Sequence, residues 1–483
     1  MLSRPSRLRT RVCFLLPTAA LLTLCLLAAG PAAGASASTF TRGFADSVWV
    51  WPDNTTQTAR QWARNVHASG ARIAEVEVDW VSYEPNAPAG GAYPTNPANP
   101  AYSGWSTLDT TVKTLESAGV KPMLLITDAP GWAEAGGVAN PHTQGYEPNA
   151  SALGAFGQAL ATRYDGSYPD PSSPGTALPR VTYYQLWAEA NLTIKLAPEW
   201  TKVGGTWVDS GATLYRNMLN AFYGGVKAAA PSDQVVFSGL EAYGDAPGTP
   251  NGRVAPVTFL EDVLCLNSKL ERVCDTPAHF DILASDPYDI GSPATHAYSR
   301  TDASAPDLRK LTRVVNAARR AGTALPDVNK PLWVTEFGYD SDPPNPSGLP
   351  AAKQARWLEQ SLYVFWNEGV STVFWYLIRD QPGHNYAVDY FSGIYFYNGT
   401  KKVSYTAYRF PLVIASYDGR ARFWGIAPTS GRVAVELLTS SGWRVVATAN
   451  RKAGSVFSGL LANDVKGSYR AVEGSAASLP WSY

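Results

Sequence analysis

Between about Thr41 and Phe410 the spacing of apolar residues switches repeatedly between two and about 3.6. Period two predicts strands, and apolar residues at i, i+3, i+4 and i+7 predict helices. Arg42–Trp51 is the first predicted strand, and Ala59–Ser69 is the first helix, with Trp62 and Val66 on one face. In the second strand, Ala71–Trp80, the residues Ala74, Val76, Val78 and Trp80 alternate with Glu75, Glu77 and Asp79. One set is expected to face helices and the other the inside of a closed sheet. A helix opened by a capping-box-like Ser106/Asp109 pair carries Leu108, Val112 and Leu115 and stops at Gly119. Lys121–Thr127 is the third strand, and Leu153, Phe156, Leu160 and Tyr164 mark the next helix. The unit then repeats, with strands at Val181–Glu189, Gln234–Leu240, Phe280–Tyr288, Leu332–Phe337 and Ser371–Ile378. Gly322 and Gly369 end two of the later helices, and a short helix at Tyr405–Phe410 closes the series.

Eight such units over roughly 370 residues predict an α/β fold, a (β/α)8 barrel enlarged by loops. No Gly-x-Gly-x-x-Gly run follows the first strand, which argues against an open dinucleotide-binding sheet. From Pro411 the period stays at two. Arg422–Ile426, Arg432–Leu438, Trp443–Ala449 and Tyr469–Glu473 predict a small sandwich-like all-β domain. The expected division is an export segment over 1–37, a barrel over 38–410 and the β domain over 411–483.

Composition narrows the partners. The formal net charge is zero, so no polyanion is implied and no nucleic acid is expected. Aromatic residues reach 12%, with 16 Trp, and indole rings offer flat faces for sugars as well as core filler. Arg4, Arg7, Arg9 and Arg11 precede the apolar run Val12–Ala29, and small residues follow at Ala33-Gly34-Ala35 and Ala35-Ser36-Ala37. This pattern predicts a cleaved signal peptide and a secreted protein with no membrane association after cleavage. Two cysteines remain, Cys265 and Cys274, and export favours a disulfide between them. The five histidines show no metal-ligand spacing, so no metal and no organic cofactor are expected. The sequence carries no signal for oligomeric state.

Two predicted strands end in glutamate, one at Glu189 and one at Glu336. The C-terminal strand ends of such a barrel form its reactive face. Two carboxylates there suit glycoside hydrolysis, one as acid/base and one as nucleophile. Glu241, Asp286, Tyr288 and Trp375 are assigned to the same rim, and strand parity turns Trp187 inward with Glu189.

These residues resemble the clan A retaining glycoside hydrolases, which include families 5 and 39. Trp187-Ala188-Glu189-Ala190-Asn191 is similar to the Trp-Asn-Glu-Pro-Asn at the end of strand four in those families. Trp333-Val334-Thr335-Glu336-Phe337-Gly338 is similar to their strand-seven Trp-x-Thr-Glu-x-Gly. Arg72, Trp80 and Glu84-Pro85 resemble the strand-two Arg, Trp and Glu-Pro, and Asp286-Pro287-Tyr288 resembles the strand-six His-Pro-Tyr. The resemblance implies Glu189 as acid/base, Glu336 as nucleophile and Tyr288 as the group that keeps the nucleophile ionised. It also implies an oligosaccharide or polysaccharide substrate, with Trp375 where a strand-eight Trp floors the sugar site. Trp132 and Trp187 are expected to offer sugar-stacking faces at the same rim, and Asn191 and Tyr288 further substrate contacts. One position departs from the pattern. Ala188 stands where an asparagine normally binds the sugar 2-hydroxyl, a loss of about 1.5–3 kcal/mol for a hydrogen bond at a charged site. Two rival readings share these residues: an inactive carbohydrate-binding barrel and a transglycosylase.

Overall fold

The computed structural model describes residues 40–483 except 47, 49–55, 138, 384 and 387. The predicted export segment, the end of the predicted first strand and His384 lie outside the described residues. Eight strands form the barrel: β1 (Thr41–Phe44), β2 (Ile73–Asp79), β3 (Lys121–Thr127), β4 (Tyr183–Leu186), β5 (Gln234–Val236), β6 (Leu283–Ser285), β7 (Leu332–Val334) and β8 (Val370–Trp375). Their order is β5-β4-β3-β2-β1-β8-β7-β6, and every pairing is parallel. Parallel bridges Val236↔Ile282 and Glu241↔Asp286 join β5 to β6 and close the ring. The main helices are α1 (Thr56–Ala68), α2 (Trp105–Ser117), α3 (Ala150–Arg163), α4 (Ser210–Ala229), α5 (Pro256–Val263), α6 (Arg309–Ala321), α7 (Ala351–Glu368) and α8 (Val403–Arg409).

The alternation along β2 sets its orientation. Ala74, Val76, Val78 and Trp80 are at most 1% exposed and join the core between strands and helices. Ile73 enters a separate apolar plug inside the barrel, with Ala45, Met123, Val236, Ile282, Ala284, Trp333 and Phe374. Beyond Ile73 the same parity brings Glu75, Glu77 and Asp79 up the inner wall toward the strand ends. The barrel is thus oily at its base and acidic at its mouth.

Helix ends follow the local chemistry. Gly322 (φ 72°) and Gly369 (φ 91°) terminate α6 and α7 in left-handed conformations that a side chain resists. The Ser106/Asp109 capping box does not form. Gly104 occupies the N-cap of α2, and Asp109 instead takes two hydrogen bonds from Arg163, at 2.8 and 2.6 Å, and one from the Tyr164 hydroxyl. A two-pronged guanidinium contact is worth more to a buried carboxylate than a backbone N–H at a helix start.

The C-terminal β domain has two sheets. One contains β9 (Leu412–Tyr417), β10 (Arg420–Ile426) and β13 (Val456–Leu460); the other is built on β11 (Gly431–Thr439), β12 (Gly442–Arg451) and β14 (Ser468–Glu473). The sequence pattern does not reveal β9 and β13, because Leu412-Val413-Ile414 is a continuous apolar run and Val456–Leu460 holds a glycine. Trp424 of β10 is fully buried, with ring centroids 6.0 Å from Trp366 and 5.8 Å from Tyr363 on α7. Arg356 of α7 also donates to the Ser482 carbonyl at 2.8 Å. Truncating the β domain therefore strips an aromatic cover from α7.

Cys265 and Cys274 are bonded, with a sequence separation of 9. Closing a loop of that length stabilises a fold by about 2–3 kcal/mol through the unfolded chain. The double serine variant is expected to unfold at correspondingly lower denaturant while its other properties persist. Equilibrium unfolding monitored by circular dichroism measures this directly.

Candidate active site

The β4 end changes course sharply. Trp187 (φ 64°) and Glu189 (φ 46°) both adopt positive φ, a conformation that costs a non-glycine residue about 1–3 kcal/mol. Neighbouring strands hold it in place. Trp187 N–H donates to the Ile126 carbonyl at 2.9 Å, Glu189 N–H to the Gly239 carbonyl at 2.7 Å, and Ala190 N–H to the Ser238 hydroxyl at 3.0 Å. The twist breaks the two-residue parity. The Trp187 indole is fully buried among the helices and donates to the Lys195 carbonyl at 2.8 Å, whereas Glu189 remains at the barrel mouth. Trp187 therefore supports the turn from behind and presents no face to a sugar.

Glu336 lies just beyond β7, half-buried at the same mouth. The Tyr288 hydroxyl donates to its Oε1 at 2.8 Å. The Tyr288 ring is itself steadied by stacking on Phe337 at 5.6 Å. The neighbouring Thr335 hydroxyl donates to Asp286 Oδ1 at 2.6 Å. Asp286 sits over Gly239, where an added Cβ would come within 2.2 Å of the carboxylate, so this position requires glycine.

Carboxyl groups crowd this mouth, and their acidities reflect it. Glu189 is pushed up to about 8, first by burial and then by the charges of Glu336 and Glu241. Glu336 is also raised by burial, but the Tyr288 hydrogen bond and the Lys195 charge pull it back toward the ionised form. Burial and the surrounding carboxylates hold Asp286 and Glu75 well above the usual range. Glu77 reaches about 7, through burial and then Asp79 and Asp128, whose carboxylate oxygens lie with its own within 4.8 Å of one another. Lys195, on the loop after β4, eases the ionisation of Glu75, Glu77, Asp128, Glu189 and Glu336 alike. No sequence motif marks Lys195; its place follows from the β4 turn. Glu241 stands on the same rim, paired with Arg253 at 3.0 Å.

The remaining predicted site residues take other places. Asn191 is fully buried; its amide donates to the Glu241 and Val254 carbonyls at 3.1 and 2.8 Å and accepts from Glu241 N–H at 3.0 Å. Those bonds tie the β4 and β5 ends together and occupy the amide, so Asn191 positions the turn and does not reach a substrate. Trp375 is fully buried, with its indole N–H on the Ser392 carbonyl at 2.8 Å. Because Phe374 points into the barrel, Trp375 must point out, and the next inward residue is Tyr376. Tyr376 packs at right angles to Tyr390, 5.1 Å away, and both rings feel the charge of Glu336. These two tyrosines are the aromatic groups at the mouth that sequence reasoning missed, although the β8 alternation contains the signal for Tyr376. Trp132 is half-buried on the β2–β3 side, stacked on Tyr93 at 6.2 Å and bonded to the Glu84 carbonyl at 2.9 Å. Arg72 is exposed before the start of β2 and donates to the His67 and Ala71 carbonyls, so it lies at the opposite strand end from the glutamates.

The Tyr288 contact is directly testable. Removing it in Tyr288→Phe takes away a bond that favours the Glu336 carboxylate, so the Glu336 pKa rises. If Glu336 must be ionised to act, the acidic limb of kcat/KM moves to higher pH and the maximum falls about tenfold. A pH profile of the variant against the parent reads both effects.

No protein-family model matches this chain, and no curated protein matches it. Solved structures do resemble it. A family 39 glycoside hydrolase from the gut symbiont Bacteroides cellulosilyticus WH2 is similar over 88% of this chain and 81% of its own, with 17% identity and a TM-score of 0.54. A glucosidase from Croceicoccus marinus overlaps over 89% of this chain and 94% of its own, with 13% identity and a TM-score of 0.47. The first likeness agrees with the barrel and appended β domain traced above, and at this identity it speaks for the fold.

Proposed function

We propose that the protein is a secreted retaining glycoside hydrolase acting on a plant or microbial oligosaccharide or polysaccharide. The observation that carries the proposal is the pairing of Glu189 with Glu336. Each sits just beyond a strand of one closed parallel barrel, the charge of Glu336 raises Glu189, and a tyrosine holds Glu336. Neighbouring titratable groups with different surroundings divide naturally into acid and base roles. Glu189, pushed up to about 8, keeps its proton at neutral pH and can give it to the leaving oxygen. Glu336, with Tyr288 and Lys195 favouring its ionised form, attacks the anomeric carbon. The C–O bond to the leaving group breaks as the new ester bond forms. Glu189, now ionised, then takes a proton from water, which attacks the same carbon and releases Glu336. The fold likeness to a family 39 glycoside hydrolase and the strand-end motifs support the same reading.

Ala188 is half-buried beside the pair and has no group for a sugar 2-hydroxyl. Hydrolysis of a panel of glycans and aryl glycosides, read as reducing-sugar release, tests the function. Release supports it; binding without release on every member of the panel favours the inactive barrel. Glycosyl transfer to an added alcohol in preference to water favours the transglycosylase.

A further inference from the structure

A cleft between α5 and α6 shares none of its described lining residues with the carboxyl-crowded mouth. Glu261 of α5 lines one side, and Arg309, Lys310 and Arg313 of the first turns of α6 line the other. Leu270, from the disulfide-closed loop, and the segment 297–301 complete an enclosure of about 580 Å³. That volume falls within the range of small-molecule pockets, about 300–1,000 Å³. Segment 297–301 is pinned along its length. Ala297 N–H donates to Asp307 Oδ2 at 2.8 Å, the Lys310 ammonium to the Ser299 and Asp302 carbonyls at 3.2 and 2.8 Å, and Val257 N–H to the Thr301 carbonyl at 3.0 Å. The backbone on both sides of Tyr298 is therefore held, yet its side chain is 88% exposed. A held backbone that presents a bare ring spares a ligand the cost of ordering the loop.

Charge gives the cleft its character. Four cations line it, Arg300, Arg309, Lys310 and Arg313, against one carboxyl, Glu261. Two of the four are already answered: Lys310 pairs with Asp307 at 3.3 Å and Arg309 with Glu368 at 3.7 Å. Arg300 and Arg313 are exposed and form no hydrogen bond or ion pair with any other described residue. Glu261 feels both guanidiniums, but it is buried, and burial and then Asp262 push it up to about 7, so it is a weak counter-charge. Two guanidiniums on different elements thus converge on one cleft without an acceptor. Their forked N–H donors match a carboxylate with two parallel bonds. Beside them Tyr298 and the half-buried Leu270 offer apolar surface, and Ser268 and Ser299 add hydroxyls that donate or accept.

We infer that this cleft is a second, non-catalytic binding site for an acidic glycan, a chain whose sugars carry carboxylates. Arg300 and Arg313 take the carboxylates, and the Tyr298 ring takes the apolar face of a sugar. The anionic character of the ligand rests on the cleft alone; the choice of a sugar to carry the charge rests on the hydrolase reading. The site holds the protein on an acidic glycan without acting on its bonds, because the lining includes neither Glu189 nor Glu336.

The test uses the full chain carrying Glu336→Gln, titrated calorimetrically with trigalacturonate, trimannuronate, cellotriose and citrate. At least one acidic trimer is expected to bind at about 0.01 M salt, and to bind more weakly at about 0.15 M, where charges are felt over about 8 Å rather than about 30 Å. Arg300→Gln and Arg313→Gln are each expected to weaken that binding about tenfold, as loss of a hydrogen-bonded charge does, and Tyr298→Ala about threefold. All three side chains are exposed, so the circular dichroism spectrum should not change. Placed in the active protein, the same three substitutions should leave hydrolysis of aryl monoglycosides unaltered. Acidic trimers that fail to bind, or that bind equally well to both arginine variants, would overturn the site and leave the hydrolase standing. Cellotriose binding that the arginine variants weaken as much would overturn the acidic class. Citrate binding as tightly as the trimers, at the same arginines and indifferent to Tyr298→Ala, would overturn the sugar. Trimer binding that all three variants weaken, in a protein that hydrolyses nothing, would keep the site and overturn the hydrolase.

Discussion

Glu336→Gln is expected to lower kcat/KM about 10⁴-fold on any substrate the protein turns over, roughly 5.5 kcal/mol of transition-state stabilisation. The amide keeps the size and shape of the side chain and can still accept from the Tyr288 hydroxyl now 2.8 Å away. It cannot attack the anomeric carbon, so the covalent route closes. Removing one charge from a mouth crowded with carboxyls should also relieve repulsion, because Glu336 raises Glu189, Asp286 and Glu75. The variant is therefore expected to be at least as stable as the parent while inactive. Loss of activity together with a lower melting temperature would instead point to a structural role for this carboxylate.

The second large effect falls on Glu189, and its size should depend on the leaving group. In Glu189→Ala, hydrolysis of unactivated linkages is expected to drop about 10²–10⁴-fold, the usual contribution of a positioned acid. A dinitrophenyl glycoside needs no protonation to depart, so its glycosylation step should change far less. Deglycosylation then limits the rate, and azide, which attacks without a base, should restore turnover and yield a glycosyl azide of retained configuration. In the parent, kcat/KM is expected to fall above about pH 8, as the Glu189 proton is lost. The alanine variant should lack that basic limb. An unchanged basic limb would assign it to another group at the mouth.

How much of this was legible in the sequence depends on where regular periodicity holds. β2 and β3 could be read almost to the residue, because alternation and an apolar run survive along their whole length. The glutamates could be found because each stands at the end of such a run. The tryptophans could not be oriented. Trp187 sits where positive φ breaks strand parity, and parity is the only orienting signal a strand offers. Trp375 matched a motif by type, yet Phe374 in the barrel plug fixes it outward and leaves Tyr376 at the mouth. Asn191 matched its motif too, but its amide is occupied by two carbonyls of the loop between β5 and α5, distant in sequence, a long-range bond that local pattern does not encode. Lys195 and the aromatic hairpin at 200–209 lie in loops, where side-chain placement follows from tertiary hydrogen bonds rather than period.

The central claim is a covalent bond between sugar and Glu336. Incubating the parent protein with 2,4-dinitrophenyl 2-deoxy-2-fluoro glycosides of glucose, xylose and mannose, followed by intact and peptide mass spectrometry, tests it most directly. A single sugar adduct per chain is expected on the peptide that contains Glu336, absent in Glu336→Gln. An adduct on Glu189 or Glu241, or turnover of the corresponding unfluorinated glycosides with no adduct, would contradict it.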